Sequence, residues 1–475
     1  MSHFDLAIIG SGSGNSLVTP DFDGKRVAII ESGTFGGTCL NVGCIPTKMY
    51  VYAADVAHTV SDAGRFGIDA TLDGVRWPDI RDRVFGRIDP ISASGRYWRG
   101  NGPNTTAFLG HATFTGSRRL RIDNGHEVEG AEITADQIVI AAGGHPSVPD
   151  VVTESGVPFH TSDTVMRLDG LPRRLVILGS GFIAAEFAHV FSALGSEVTV
   201  VARSNALLRQ LDTEISRRFT AVAKEQWDVR LDAELVKVSG GNDGNDGGTQ
   251  TEVRLDFADG TYAVGDVLLV ATGRVPNTAD LGLEVAGVDT HEDGRVRVDE
   301  HGRTTAEGVW ALGDVSSDYQ LKHVANHEAK VVAHNLAHPK DLRSFDHRYV
   351  PQAVFTFPQI ASVGLTEEQL KAPKAQGRRY VTKTQAYGDT AYGWAMEDTT
   401  GVCKVIADPA TGELLGAHLM GHQASNLIQP LIQGMSFGQT AQEVARGQYW
   451  IHPALSEVVE NALLGLQLDH NKTRP

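Results

Sequence analysis

The chain is short of cysteine, with three in 475 residues, which excludes a small secreted scaffold stapled by disulfides. No apolar run approaches the ~20 residues that a membrane-spanning helix requires. Nor does the start of the chain pair a charged stretch with an apolar one as an export signal would. Positive charge is also scarce. Lys and Arg number 42 against 58 Asp and Glu, a formal charge of −16, and no basic run offsets it. Nucleic acid and anionic membrane surfaces are therefore not expected partners, and no metal is expected. A soluble, cytoplasmic protein is. What the chain has in quantity is glycine, 52 residues, beside 41% apolar residues. That balance suits an α/β protein with many tight turns, and the length implies two to four domains.

Two of the three cysteines stand five residues apart in Gly36-Gly37-Thr38-Cys39-Leu40-Asn41-Val42-Gly43-Cys44-Ile45-Pro46-Thr47-Lys48. Such a pair can close a small disulfide ring, and Gly36, Gly37 and Gly43 relieve steric restriction around it. A helix is expected over 45–60, so both sulfurs would lie near its N-terminus, where partial positive charge favours thiolate over thiol. The spacing alone also fits two buried structural cysteines or one static disulfide. The glycines, the Pro-Thr-Lys that follows and a neighbouring nucleotide signature favour a redox pair.

That signature opens the chain. Asp5–Ile9 reads as a buried parallel strand, Gly10-Ser11-Gly12-Ser13-Gly14-Asn15 as a turn opening a helix, and Arg26–Ile30 as a second strand. Glu31 follows 21 residues after Gly10, the spacing at which an acid meets ribose hydroxyls in a dinucleotide site. Asn15 occupies the place of the usual third glycine, so the helix–strand contact should differ there. A second unit repeats the pattern: strand Leu175–Leu178, then Gly179-Ser180-Gly181-Phe182-Ile183-Ala184 and a helix through Leu194, then strand Glu197–Val201. Two units imply two dinucleotides, or a duplicated fold with one inactive copy. Beyond the second strand come Arg203 and Arg209 where an NAD site would place an acid. Arginines there can pair a 2′-phosphate, which marks NADP; solvated surface arginines are the plainer alternative.

These segments, with Gly110-His111-Ala112, Ala141-Ala142-Gly143, Ala271-Thr272-Gly273-Arg274, Trp310–Val315 and Ile451-His452-Pro453-Ala454-Leu455-Ser456-Glu457, resemble the FAD-dependent pyridine nucleotide–disulfide oxidoreductases across residues 4–466. The resemblance implies an α/β fold: two Rossmann-like domains for FAD and NADPH, and an α+β dimer-interface domain. It divides the chain into FAD-binding residues 1–150 and 275–345, NADPH-binding residues 151–274, interface residues 346–466 and a disordered tail, 467–475. FAD would be held by Gly10, Gly12, Gly14, Glu31, Thr38, Lys48, Ala112, Gly143 and Asp314. NADPH would be held by Gly179, Gly181, Ile183, Arg203, Arg209 and Gly273.

By the same resemblance Cys39 and Cys44 form the redox disulfide, with Cys44 nearer the flavin as its thiolate. Lys48 would pair with Glu186 near the flavin. His452, oriented by Glu457, would be a general acid–base serving the other subunit of a homodimer. Phe182 matches an aromatic that covers the flavin, or is a core residue. Pro453 suits the first turn of a helix. The activity implied is NADPH-dependent reduction of a low-molecular-weight disulfide; several segments point to a branch whose substrate is neutral and sugar-like. Glutathione reductase or lipoamide dehydrogenase activity is the alternative, then a vestigial flavin-bearing interaction protein. Lys322-His323 departs from the Thr-Pro of many relatives. Gly240–Gly248 reads as an exposed hairpin loop, two late helices are expected after residue 346, and Cys403 reads as an inert buried thiol.

Overall fold

The computed structural model describes residues 1–123, 130–241, 252–373 and 377–469. Of the expected hairpin loop, 242–248 lie outside the described residues, as do 470–475 of the expected tail. The apolar run Ser2–Ile9 forms the middle of a seven-stranded sheet, parallel to Val27–Glu31 on one side and Ala131–Ile140 on the other. Thr105–Leu109 lies outside Val27–Glu31, and an antiparallel pair, His111–Gly116 and Arg119–Asp123, extends the other flank. Val309–Ala311 returns late in the sequence to lie beside Ala131–Ile140. Leu6, Ala7, Ile8, Ile29 and Ile138 are all buried, which is why these strands read as unbroken apolar runs rather than alternating ones.

Between them the chain builds a second parallel sheet, with Arg174–Leu178 flanked by Glu197–Val201 and Val267–Val270. The last unit is a five-stranded antiparallel sheet in the order Gln352–Val354, Gln359–Gly364, Leu414–Gly421, Val402–Ala407, Val381–Ala386. Its far face carries short helices. The fold is thus α/β, two nucleotide-type units followed by an α+β unit.

Close approach at strand ends explains the glycines. A Cβ on Gly10 would lie 2.3 Å from the Ala141 carbonyl oxygen, and one on Gly179 would lie 2.2 Å from that of Ala271. The same contact is therefore used in both units, and it pins each glycine turn to the strand end that carries Ala141-Ala142-Gly143 or Ala271-Thr272-Gly273. Gly14 fills the role expected of a third glycine. A Cβ there would meet Ile8 and Ala141 at 2.8 and 2.9 Å, so Asn15, one residue later, is free to differ. The redox segment is seated the same way. Gly37 adopts φ +73°, and a Cβ on it would sit 2.6 Å from Gly12 Cα.

The cysteine helix runs Cys44–Asp62, with Thr47, Tyr50, Val51, Ala54 and Ala57 buried along one face at helical spacing. Tyr50 packs on Trp77, which stacks on Phe191 at centroid distances of 5.0 and 5.3 Å. Three helices are joined by these rings: Cys44–Asp62, Trp77–Gly100 and Phe182–Ala193. Both polar tips are satisfied, Tyr50 donating to the Met166 carbonyl and Trp77 to that of Leu168.

Four expectations need correction. The turn at Gly10–Asn15 opens only a 3-10 helix, Ser13–Leu17. The Asn15 carbonyl is taken by the Arg99 guanidinium at 3.1 Å, and Pro20 holds Thr19 extended. Pro453 does not start the last helix, which runs Glu457–Leu464. After residue 346 there are six helices rather than two among the described residues: Glu367–Lys371, Ala391–Ala395, Ala424–Leu427, Gln429–Ser436, Ala441–Arg446 and Glu457–Leu464. Residues 467–469, expected to begin the disordered tail, are fastened. Leu468 is buried, and Asp469 pairs with Arg379 at 3.0 Å while its amide donates to the Pro409 carbonyl.

Gly24 and Gly37 separate backbone strain from crowding, since both have positive φ but nothing lies within 4 Å of a Cβ on Gly24. Gly24→Ala should cost about 1–2 kcal/mol, the left-handed penalty alone. Gly37→Ala should cost about 3 kcal/mol or more, because Gly12 must also move. Urea denaturation of the two variants checks this; equal losses would mean that the Gly12–Gly37 contact yields at little cost.

Candidate active site

A cavity of about 810 Å³ opens at the C-terminal ends of the first sheet's parallel strands, where that sheet, the cysteine segment and the Phe182–Ala193 helix meet. Gly10, Gly12 and Glu31 form one wall and Thr38, Cys39, Cys44 and Lys48 another. Ala112, Gly143 and Asp314 close the far side, and Phe182, Ile183 and Glu186 line the side toward the second unit. Gly14 lies buried beneath the turn. Gly179, Gly181, Gly273, Arg203 and Arg209 are not among the lining residues; they gather at the strand ends of the second sheet. His452 and Glu457 do not line the cavity either.

Glu31 locks the glycine turn. One of its oxygens accepts from the Ser11 amide at 3.0 Å and the Ser11 hydroxyl at 2.6 Å, and the other from the Gly33 amide at 2.9 Å. The Ser11 hydroxyl oxygen in turn accepts from the Gly36 amide, so the nucleotide turn and the redox segment share one hydrogen-bond chain. Lys48 Nζ donates to both Glu186 oxygens at 2.6 and 2.5 Å. Glu186, nearly buried, also accepts from the Phe355 amide at 3.0 Å. Phe355 is a contact that residue types alone could not have signalled.

Cys39 lies in the short helix Gly37–Asn41, and Cys44 is the first residue of the long one. Both are free thiols, and they share a hydrogen bond. That bond lowers the Cys39 pKa to about 7, with burial acting against it and the positive charge of Lys322 and the Cys44 and Ile45 amides adding to it. Cys44 is raised, first by the same bond and then by burial, although Lys48 pulls it down. The two thiols therefore titrate as a unit, with the shared bond pushing the Cys39 side down and the Cys44 side up. Cys403 is fully buried and its thiol is pushed up by burial.

Glycine-turn amides, an acid at Glu31 and a space of this volume suit a dinucleotide. Asp314, half-buried and raised by burial, has no ion-pair partner among the described residues and can accept from hydroxyls of a bound cofactor. Arg203 and Arg209 are exposed, and neither has an acidic partner among the described residues. His452 Nδ1 lies 2.7 Å from Glu457 Oε1, with the His452 side chain 71% exposed and that of Glu457 17% exposed. The pair is preformed on the surface.

The family model described as pyridine nucleotide-disulphide oxidoreductase matches residues 4–329, and the dimerisation-domain model of the same name matches 350–463. The chain belongs to this family. It is 58% identical to the mycothione reductase of Mycobacterium tuberculosis, over 98% of this chain and all of that one. It is 33% identical to a dihydrolipoyl dehydrogenase of Corynebacterium glutamicum, covering 98% of each chain. Among solved structures it is similar to the HOCl-induced flavoprotein disulfide reductase RclA from Escherichia coli, with a TM-score of 0.83 and 29% identity over 97% of this chain and all of that one. As an oxidoreductase of this family it takes FAD and a pyridine nucleotide, the two dinucleotides that its two glycine turns call for.

Lys322 is one of the cavity residues to which sequence reasoning gave no role. Its only signal was the departure from Thr-Pro. It begins the helix Lys322–Ala337, lines the cavity and donates from Nζ to the Ser13 hydroxyl at 2.8 Å. His323 instead turns to the Pro351 carbonyl. Because a cation stabilises the thiolate, Lys322→Met should move the Cys39 pKa upward from about 7. The alkylation rate of Cys39 at pH 7 should fall, whereas His323→Ala should leave it unchanged. Iodoacetamide rates against pH on the reduced, flavin-free protein test this. An unmoved profile in Lys322→Met would remove Lys322 from the thiol's electrostatics.

Proposed function

We propose that the protein is an NADPH-dependent flavoprotein disulfide reductase whose substrate is mycothione, the disulfide of a cysteinyl aminosugar–inositol thiol. The hydrogen-bonded Cys39–Cys44 pair on the wall of a dinucleotide cavity carries the reaction class. Identity of 58% to a mycothione reductase along the whole chain carries the substrate. Glutathione and dihydrolipoyl relatives stand at 32 and 33%. Residues 1–150 and 275–345 serve FAD, 151–274 NADPH and 346–466 the dimer contact.

Gly10, Gly12 and Gly14 with Glu31 would hold the FAD pyrophosphate and ribose, Asp314 the ribityl chain, and Thr38, Lys48, Ala112 and Gly143 the flavin edge. Bound FAD supplies the relay of two electrons from NADPH to the Cys39–Cys44 disulfide. Gly179, Gly181, Ile183 and Gly273 would receive NADPH, with Arg203 and Arg209 on its 2′-phosphate. Lys48, fixed by Glu186, places a positive charge beside Cys44.

In the reduced protein the Cys39 thiolate attacks one substrate sulfur. A Cys39–substrate disulfide forms and the substrate S–S bond breaks. His452 of the partner subunit protonates the departing thiolate, while Glu457 holds its ring in position. Cys44, as thiolate, then attacks Cys39, re-forming the protein disulfide and releasing the second thiol. The sum consumes NADPH, one proton and one disulfide and yields NADP⁺ and two thiols. Homodimerisation is supported by the segment that leads to His452, where Tyr449 and Ile451 are strongly exposed. Among the described residues no helix is long and apolar enough to cross a membrane.

The decisive assay is NADPH oxidation with mycothione, glutathione disulfide and lipoamide in parallel, with NADH as control. Rapid turnover of mycothione alone is expected. Cys39→Ser should remain yellow and bleach with NADPH but turn over no disulfide, and His452→Ala should lose about 10²–10⁴-fold in turnover. Arg203→Ala and Arg209→Ala should raise KM for NADPH and not for NADH. Faster turnover of glutathione disulfide or lipoamide would overturn the substrate assignment.

A further inference from the structure

One lysine lies buried far from the redox cavity. Lys404, on the Val402–Ala407 strand of the last unit, is 1% exposed. Its Nζ lies 2.8 Å from Asp212 Oδ1, 2.5 Å from Glu367 Oε2 and 3.5 Å from Glu214 Oε2. Glu367 belongs to the same unit. Asp212, fully buried, and Glu214 belong to the second unit, so the lysine joins the two. Asp212 is also the N-cap of the helix Thr213–Gln226, accepting from the Glu214 amide at 3.1 Å, and its other oxygen accepts from the Glu367 amide. A carboxylate this deep in the protein stays charged and in place because a cation meets it.

What Asp212 terminates is the segment 202–211, which bears Arg203 and Arg209. This segment holds an unusual shape. Leu208 is buried at φ +54°, a region costly for a leucine. Its amide donates to the Ser180 carbonyl within the Gly179-Ser180-Gly181 turn at 2.8 Å. Leu207 is gripped through its amide by the Thr220 hydroxyl and through its carbonyl by the Ser216 hydroxyl. The Thr213–Gln226 helix therefore fixes the arginine segment from one side, and Lys404 fixes the start of that helix.

We propose that Lys404 is a positioning residue for coenzyme selection. By neutralising Asp212 from the last unit, it holds the 202–211 segment so that Arg203 and Arg209 converge on the 2′-phosphate of NADPH. This rests on the reading of those two arginines given above. Without the lysine, buried Asp212 loses its ion-pair partner while Glu367, partly exposed, keeps Lys371; Asp212 then withdraws toward water and the segment it anchors follows.

The test uses the flavin-loaded full-length protein. In Lys404→Met, KM for NADPH should rise about tenfold, with kcat within twofold and KM for NADH unchanged. The Kd of 2′,5′-ADP by calorimetry should rise in parallel. A purely structural role would lower thermal stability and flavin content without moving the NADPH-to-NADH ratio. Asp212→Asn keeps the cap and loses the charge, so it should raise KM for NADPH by about threefold. The double variant should match Asp212→Asn instead of multiplying the two effects.

An unchanged KM for NADPH and Kd for 2′,5′-ADP in folded Lys404→Met overturns the proposal. If that variant does not fold, the same constancy in Asp212→Asn overturns it. Arg203→Ala separates the two levels. If it leaves KM for NADPH unchanged, the 2′-phosphate reading fails. If it raises KM while Lys404→Met does not, only the role of Lys404 fails.

Discussion

The redox segment and the first glycine turn touch backbone to backbone. Gly37 and Gly12 come so close that a single Cβ would fall 2.6 Å from Gly12 Cα, and the Ser11 hydroxyl bridges Glu31 to the Gly36 amide beside that contact. The rest of the site depends on this constraint. With the two loops in contact, a cofactor whose pyrophosphate rests on the turn must extend along the wall that bears both cysteines. The long helix starting at Cys44 then carries Lys48 one turn onward, into reach of Glu186. A looser contact would leave the cysteines on a separate flap, and nothing would tie their position to the nucleotide.

Much of this arrangement was legible in the residues. Strand–glycine–strand patterns with an acid at Glu31, the repeated unit near Gly179 and the cysteine spacing led to two nucleotide sites and a redox pair. Strong local rules govern those features: period, glycine stereochemistry and the charge near a helix end. The sequence pattern ran out where a tertiary contact overrode a local one. Asn15 seemed to break the fingerprint, yet Gly14 had taken over the close approach to Ile8 and Ala141. The expected first helix is cut to one short turn because Arg99, from a distant helix, captures a carbonyl that the helix would have used. Lys322 and Lys404 gave no motif at all. Each acquires its meaning from acids, hydroxyls or thiols that lie far away in the chain.

Pairing and protonation were the least legible part. A helix N-terminus favours thiolate for any cysteine near it, and the sequence places both Cys39 and Cys44 there. Which of the two holds the proton depends on the bond between them and on the cations beside each one. Lys322 acts on Cys39 and Lys48 on Cys44. The two lysines come from helices more than 270 residues apart in the sequence. With the shared bond they make the pair a unit that titrates jointly, with one negative charge held between the two sulfurs. That suits a dithiol which must first attack a substrate from one sulfur and then resolve the product from the other.

The units meet through both apolar packing and charge. One core cluster runs from Tyr50 and Trp77 of the first unit through Phe187 and Phe191 of the second to Val354 and Met420 of the last. The sheets are filled with buried Leu, Ile and Val, but the joints also carry charge. Glu186 of the second unit takes Lys48 from the first and the Phe355 amide from the last. Asp212 of the second unit takes Lys404 and the Glu367 amide from the last. Apolar faces tolerate small slides because dispersion and burial change gradually with position. A buried carboxylate does not, since losing its cation leaves an uncompensated charge. Each joint therefore has one low-energy register. The second unit is held at two such points, one behind the redox cavity and one behind the arginine segment. Its orientation is thus fixed at both ends of the path that a dinucleotide would span, so charge pairs add a definite register to the shared core in setting the spacing between the reacting end and the phosphate end.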